Sequence, residues 1–336
     1  MDDHLILLLL KGVSALVLLV IALVGGLLPL CLQGAVDEAS KAQSFMRTGN
    51  ALAGGILLAA ALVHMLPDAA ENLEELGVQL KHWFRPGADG AFPLAPTVAG
   101  LFFLAIALME VSLKRLTLHE VESLHEKEAA EEEGEYIAFE ASPLEKTRTW
   151  PAAGSPPRNL AADSSQKPMS RLYQRTSVEC VAVKLQDRSN SAAGAFLLLM
   201  LAIHSLLEGI SIGAQVHSAT FLSIFLAVSA HKGLAAFALG SKLLGDSPAE
   251  NRSNLYRGIF LFGICSPLGI MGGAYLVDEV KGAGVGIVLS AATGTFLYIS
   301  IPELLLPAFE GAKSSRSATT AAVFGFAFMA FLAMWV

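Results

Sequence analysis

Two consecutive apolar stretches of the chain carry ionisable side chains whose types and spacing suit metal binding. The first, AIHSLLEGISIGAQ, places His204 and Glu208 four residues apart, so both project from one helical face with about 6 Å between them along the axis. The next, SAHKGLAAFALG, carries His231, and the connection VHSA is so short that the two helices must be antiparallel neighbours. His204 and His231 are therefore expected at similar depth. Two imidazoles and a carboxylate suit a borderline divalent cation such as zinc.

These stretches belong to a set of apolar runs long enough to cross a bilayer. Hydrophobic residues make up 54% of the chain and charged residues 16%, and the mean hydropathy is +0.55. A soluble domain carries about a quarter charged residues, whereas runs of about 20 apolar residues cross membranes as helices. The sequence therefore predicts an all-α polytopic membrane protein with eight transmembrane helices. They are expected at about 5–30, 49–70, 94–115, 192–215, 219–242, 257–277, 284–309 and 317–336.

The first apolar run resembles a signal peptide only superficially. Asp2 and Asp3 stand where a signal peptide carries basic residues, and the apolar run exceeds a normal signal-peptide core. We interpret it as a retained helix.

A long polar segment separates the third predicted span from the fourth. It begins with the charged sequence LHEVESLHEKEAAEEEGEYIAFE and continues with TWPAAGSPPRNLAADSSQKP, a composition that cannot pack a core. We expect three parts: residues 1–115 with helices one to three, residues 116–191 as a largely disordered loop with one helix after span three, and residues 192–336 with helices four to eight.

Lysine and arginine residues are unevenly divided between the two sets of connections. The connections and span flanks on one side of the predicted membrane carry eleven: Lys41, Arg47, Lys114, Arg115, Lys184, Arg188, Lys242, Arg252, Arg257, Lys313 and Arg316. Those on the opposite side carry four: Lys11, Lys81, Arg85 and Lys281. Because cytosolic connections carry the excess of basic residues, the loop 116–191 is predicted to be cytosolic and both termini to face outward.

Other ionisable side chains lie in or beside the predicted spans. From the outer face inward they are Asp68, His64 level with Glu208, the two histidines His204 and His231, and then Glu110 and Glu303. A charged side chain at the bilayer centre costs at least about 2.5–3.5 kcal/mol on insertion scales, so such groups indicate function. Their order predicts a path for a cation. For Glu110, an ion pair with Lys114 one helical turn later is the alternative.

Lys232, directly after His231, leaves two interpretations open. A lysine at this depth must reach the interface, pair with an acid or lose its proton. It could lie near Glu208 and supply positive charge that a second metal ion would otherwise contribute. Alternatively, it points toward another helix and pairs there with an unidentified acid.

Five motifs resemble the ZIP family of zinc- and iron-regulated transporters, and within it the plasma-membrane zinc importers. They are GGILLAAALVHMLPDA, HSLLEGISIGAQ, HKGLAAFALG, SPLGIMGG and GTFLYISIPELLLP, in spans two, four, five, six and seven. The resemblance implies an eight-helix fold in a 3+2+3 arrangement, in which spans one to three and six to eight form an inverted repeat. It also implies import of divalent metal into the cytosol by a dimer, through an elevator-like movement.

The same resemblance implies roles for individual residues. His204, Glu208 and His231 match the primary transport site, and Ser205 matches a position that helps to build a second metal site in other branches. His64, Glu110 and Glu303 match polar positions along the entrance and exit, and Asp68 lies at the outer mouth. Ala235 and Lys232 stand where those branches have metal ligands, so one transport metal is expected, with Lys232 replacing the charge of the second.

The residues alone leave three classes of protein open. The leading hypothesis is a zinc-preferring importer in which Zn²⁺, Fe²⁺, Mn²⁺ or Cd²⁺ is substrate and no prosthetic cofactor is bound. An intramembrane zinc hydrolase could use the same side chains to activate water, and a proton relay could use them without metal. The partners expected are a divalent metal ion, the lipid bilayer and a second copy of the chain, with no nucleic acid. The plasma membrane is the expected location.

Overall fold

A computed structural model describes residues 3–35, 39–87, 89–140, 192–246, 252–275, 282–310 and 315–334, and all regular structure within these ranges is helical. Seven of the described helices are long and apolar enough to cross a membrane, and Arg316–Leu332 forms a shorter apolar helix. The prediction of an all-α, multi-pass membrane protein is therefore confirmed.

The helices follow the predicted spans in order. They are α1 (Asp3–Ala35), α2 (Ala39–Ala59), α3 (Leu66–Phe84), α4 (Leu94–Glu140), α5 (Ala192–Gly213), α6 (Ser218–Asp246), α7 (Ser253–Tyr275), α8 (Ala283–Tyr298), α9 (Leu306–Phe309) and α10 (Ser315–Leu332).

Two helices extend well beyond the predicted spans. The second span, predicted to end near residue 70, continues as α3 to Phe84. Its continuation buries Ala69, Leu73 and Gly77, which lie four residues apart and form one narrow face. That face packs toward α8. The third span continues in α4 to Glu140 through a stretch rich in the helix formers Glu and Ala.

Each of two spans contains a π-helical segment beside a proline. The segment Ala60–Met65 joins α2 to α3 and ends just before Pro67, and Ile299–Leu305 joins α8 to α9 and contains Pro302. Because proline lacks the backbone donor of a regular helix, the hydrogen-bond pattern is locally shifted at such points. His64 and Glu303 lie on these segments, and π turns are common at functional sites. The predicted inverted repeat pairs these two spans.

The helices pack in two groups. One consists of α1, α5, α6 and α7, and the other contains α2, α3, α8 and α10. Glycines let the backbones of α5 and α7 touch, because a methyl group on Gly209 would lie 2.6 Å from the Ser266 carbonyl oxygen. Contacts between α2 and α6 join the groups. Lys11 of α1 also donates a hydrogen bond of 2.7 Å to the carbonyl of Gly213, at the end of α5.

The outward faces of several helices are apolar. Large side chains of α1, α4 and α10 are exposed, among them Leu8, Leu16, Val24, Leu101, Leu104, Leu108, Val323, Phe324 and Phe331. An apolar exterior of this extent faces lipid in a membrane protein.

The chain divides into two compact units. One comprises Met1–Glu110 with Ser191–Val336 and holds the helices that position the candidate site. The other is Val111–Asn190, of which the structure describes the helical residues 111–140. The rest of the predicted cytosolic loop lies outside the described residues.

Candidate metal centre

His204, Glu208 and His231 converge in the interior. All three are buried, and one ligand atom from each lies within 4.8 Å of the others. The Glu208 Oε1 atom is 2.7 Å from His231 Nε2 and 3.6 Å from His204 Nε2. Among the described residues, this is the one group of three or more histidine, cysteine or acidic side chains so arranged. Helix α5 supplies two members through its four-residue spacing, and α6 supplies the third.

Both imidazoles keep a ring nitrogen that makes no hydrogen bond. These buried atoms are Nε2 of His204 and Nδ1 of His231. A buried polar atom without a partner is costly, and such atoms are rare in folded proteins. Nε2 of His204 lies 3.6 Å from the Glu208 carboxylate, and a nitrogen lone pair next to a carboxylate has no favourable partner until a cation or a proton lies between them. The chemistry of this donor set therefore fits a divalent cation.

The other face of His204 contacts α8. Its Nδ1 atom lies 3.1 Å from the Thr295 hydroxyl and 3.3 Å from the Ala292 carbonyl oxygen. The Phe296 ring stacks on the imidazole with 3.5 Å between centroids and contacts His231 edge-on at 5.1 Å. Neither Thr295 nor Phe296 could be predicted as a contact of His204 from the sequence, because several hydroxyl and aromatic residues occur in this span and none has a distinguishing spacing.

Lys232 lies beside the cluster without a carboxylate partner among the described residues. The residue is 1% exposed, and its ammonium group donates hydrogen bonds of 2.5 Å to the hydroxyls of Ser205 on α5 and Ser266 on α7. It also lies 4.3 Å from the Phe262 ring centroid, a cation–π contact. The alternative in which Lys232 pairs with an unidentified acid on another helix is not observed in the described part of the chain. Ser205 contacts Ser266 at 2.8 Å and lies outside the three-ligand cluster.

A cavity of about 520 Å³ lies on the side of the cluster that sequence analysis assigns to the exterior. It is lined by His64, Asp68, Glu71 and Gln215, together with residues of the α5–α6 connection and α8. His64 is buried, and its Nδ1 atom lies 3.4 Å from an Asp68 carboxylate oxygen. The structure thus brings His64 and Asp68 into one acidic cavity, and their assignment to the entrance of a cation path is still a prediction.

Ser211 was not predicted from the sequence but shares the face of α5 that carries the candidate ligands. It is three residues after Glu208 and seven after His204, and Gln215 of the cavity follows four residues later. The side chain is fully buried, and its hydroxyl has no hydrogen-bond partner. Three other helical serines, Ser14, Ser229 and Ser290, each bond the carbonyl four residues earlier at 2.7 Å. The helical spacing from His204 and Glu208 therefore predicts the position of Ser211 on this face.

Glu110 and Glu303 are not members of the three-ligand cluster. Both are half-buried, Glu110 on α4 and Glu303 on the second π-helical segment. Their assignment to an exit path is still a prediction.

The fold and the cluster together define a class: a multi-pass membrane protein whose interior carries a buried set of metal-ligating side chains. Comparison with known proteins agrees. The family model described as ZIP Zinc transporter matches residues 8–333. The chain therefore belongs to the ZIP zinc transporter family. Members of this family are transporters and not enzymes, so the hydrolase alternative is excluded.

Individual relatives match the chain over different lengths. Human zinc transporter ZIP2 is 37% identical over 145 residues, which cover 41% of this chain and 46% of that protein. The Dictyostelium discoideum protein zntD is 33% identical over 158 residues, which cover 46% of this chain and 23% of that protein. The chain thus covers less than two thirds of either. Human zinc transporter ZIP1 is 27% identical over 297 residues, covering 86% of this chain and 79% of that protein.

Proposed function

We propose that this protein transports divalent metal, with zinc preferred, across the membrane into the cytosol through a site formed by His204, Glu208 and His231. The observation that carries the proposal is the convergence of their ligand atoms, all within 4.8 Å of one another, between two adjacent helices. Zinc is bound by imidazole nitrogen and carboxylate oxygen, often with three protein ligands and an open fourth position. An incomplete set of protein ligands favours a site that must also release its ion.

One metal ion is transported at a time. Ala235, where other branches of the family have a carboxylate, is a buried apolar residue. Lys232 occupies the neighbouring ligand position, and its ammonium group interacts electrostatically with Glu208. A buried positive charge there takes the place of a second cation. Fe²⁺, Mn²⁺ and Cd²⁺ are further candidate substrates, because imidazole and carboxylate suit several divalent ions.

The ion reaches the site from the acidic cavity. His64 and Asp68 attract it at the mouth, since a negatively charged cavity with low-dielectric walls concentrates cations. Ser211 offers its unpartnered hydroxyl oxygen on the ligand face of α5, between Glu208 and the cavity residue Gln215. Glu110 and Glu303 serve the exit toward the cytosol.

Movement of one group of helices past the other exposes the site alternately to the two sides. All three ligands lie on α5 and α6, within the group that packs with α1 and α7, so the site travels as a unit. We place the protein in the plasma membrane as a homodimer, with both termini outside the cytosol, as the positive-inside rule and the family resemblance favour.

Reconstitution into zinc-free liposomes tests this function. Purified protein should accumulate ⁶⁵Zn²⁺ in the vesicles, and the His204→Ala protein should not. Proton movement without metal accumulation would overturn the proposal and favour a proton relay. In cells that express the chain, ⁶⁵Zn²⁺ uptake from the medium tests the direction, and increased efflux would show that the direction is wrong.

A further inference from the structure

Helix α8 holds one metal ligand in place without supplying a ligand itself. Thr295 and Ala292 both approach Nδ1 of His204, on the side of the ring opposite to the metal cluster. These contacts cross between the two groups of helices, because His204 belongs to α5 and its partners belong to α8.

The hydrogen bonds around Thr295 fix where the imidazole proton lies. The Thr295 hydroxyl donates to the Ala292 carbonyl oxygen at 2.7 Å, so its oxygen is left to accept. A carbonyl oxygen can only accept. Both neighbours of His204 Nδ1 are therefore acceptors, and Nδ1 carries the proton of the neutral ring and donates it. Nε2 is consequently unprotonated, and it is the nitrogen that lies 3.6 Å from Glu208 Oε1.

The plane of the imidazole is fixed as well. Phe296 stacks on His204 with an interplanar angle of 19° and a centroid distance of 3.5 Å. Rotation of the ring about its bond to Cβ would break this stacking and the hydrogen bond at Nδ1 together. The His204 lone pair at Nε2 is thus oriented before any ion arrives.

We propose that Thr295 is a positioning residue for metal capture, which acts by holding His204 in the tautomer and orientation that bind the ion. The inference rests on the proposed metal site at His204. Residues that hydrogen-bond the second nitrogen of a metal-binding histidine change metal affinity about 10–100-fold when they are replaced. Because Thr295 lies on the other helix group, movement of α5 past α8 releases His204 from it. The site then binds its ion more weakly, which favours release.

The test compares three substitutions at matched positions on α8. Thr295→Val keeps the shape of the side chain and removes the hydroxyl, whereas Thr295→Ser keeps the hydroxyl. Thr293→Val is the control, because the buried Thr293 hydroxyl bonds the Leu289 carbonyl at 2.8 Å, within its own helix. Zinc uptake is measured against concentration at equal surface abundance, and the Kd of purified protein for Zn²⁺ is measured by equilibrium binding.

We expect Thr295→Val to raise both KM and Kd for Zn²⁺ by about 10–100-fold, while Thr295→Ser and Thr293→Val keep wild-type values. Unchanged KM and Kd in Thr295→Val, or an equal defect in Thr295→Ser, would overturn the proposal. Thr295→Ala replaces Thr295→Val if the latter does not reach the surface. His204→Ala is measured in parallel. Normal transport by His204→Ala would refute the metal site itself. If His204→Ala loses transport while Thr295→Val keeps the KM and Kd of the wild-type protein, only the role of Thr295 is refuted.

Discussion

The ammonium group of Lys232 on α6 lies 2.5 Å from the hydroxyl of Ser266 on α7. With its second bond to Ser205, this contact holds a buried cation one residue away from the proposed ligand His231. Two serine hydroxyls and an aromatic ring satisfy the ammonium donors without neutralising the charge. The positive charge is therefore free to act on Glu208 and on a metal ion bound there.

Replacing Lys232 should change the balance between metal binding and release. In Lys232→Met, the repulsion between the ammonium and a divalent ion disappears, so we expect a lower KM for zinc and a lower maximal rate, since the ion leaves more slowly. Ser205 and Ser266 still bond each other at 2.8 Å, which limits the structural effect. Concentration-dependent ⁶⁵Zn²⁺ uptake measures both quantities. Lys242→Met, further along the same helix, is the control, and an unchanged or higher KM in Lys232→Met would contradict the role of the charge.

Removing either histidine of the cluster should abolish transport. His204→Ala and His231→Ala each leave two protein ligands. Two ligands are too few to offset the free energy that a divalent ion loses when it leaves its hydrating water for the interior of a membrane protein. We expect both variants to reach the surface at normal abundance and to take up no zinc above background. His82→Ala removes an exposed histidine of α3 and should transport normally. Near-normal uptake by either cluster variant would remove that residue from the site.

Short-range spacing made the core of the candidate site predictable. The four-residue spacing of His204 and Glu208 fixes their common face, and the short connection before α6 brings His231 to the same depth. Apolar run lengths likewise predicted the multi-pass helical fold, because the bilayer sets the length of each span.

Contacts between helices that are distant in the sequence could not be predicted from short-range spacing. Thr295 is 91 residues from His204, and nothing in the spacing of α8 distinguishes its hydroxyl from those of Ser290 and Thr293. The partners of Lys232 were missed for the same reason, since Ser266 is 34 residues away on α7. The extension of the second span to Phe84 was also missed, because α3 is more polar than a membrane span and is held by a narrow face of small and apolar residues.

Replacing Ser211 should separate its role in transport from its role in folding. Its hydroxyl has no partner, so Ser211→Ala removes an uncompensated buried polar group and should leave the unfolding temperature unchanged or raise it. Zinc uptake should nevertheless fall several-fold in maximal rate, because the ion loses an oxygen ligand on its way to Glu208. Ser229→Ala, which removes a hydroxyl bonded within α6, should leave uptake unchanged. Wild-type uptake by Ser211→Ala at normal abundance would exclude Ser211 from the path.

The close packing of α5 against α7 should depend on individual glycines. A methyl group on Gly269 would lie 2.8 Å from the Cα atom of Gly209, and backbone atoms cannot move aside as a flexible side chain can. We therefore expect Gly269→Ala to destabilise the folded protein by about 1–3 kcal/mol and to lower its unfolding temperature in detergent. Gly272 on the same helix has no atom within 4 Å of an added methyl group, so Gly272→Ala should be at least as stable as the wild type. Equal unfolding temperatures for the two variants would show that the helices separate without cost, and that the contact between Gly209 and Gly269 does not hold α5 and its ligands in place.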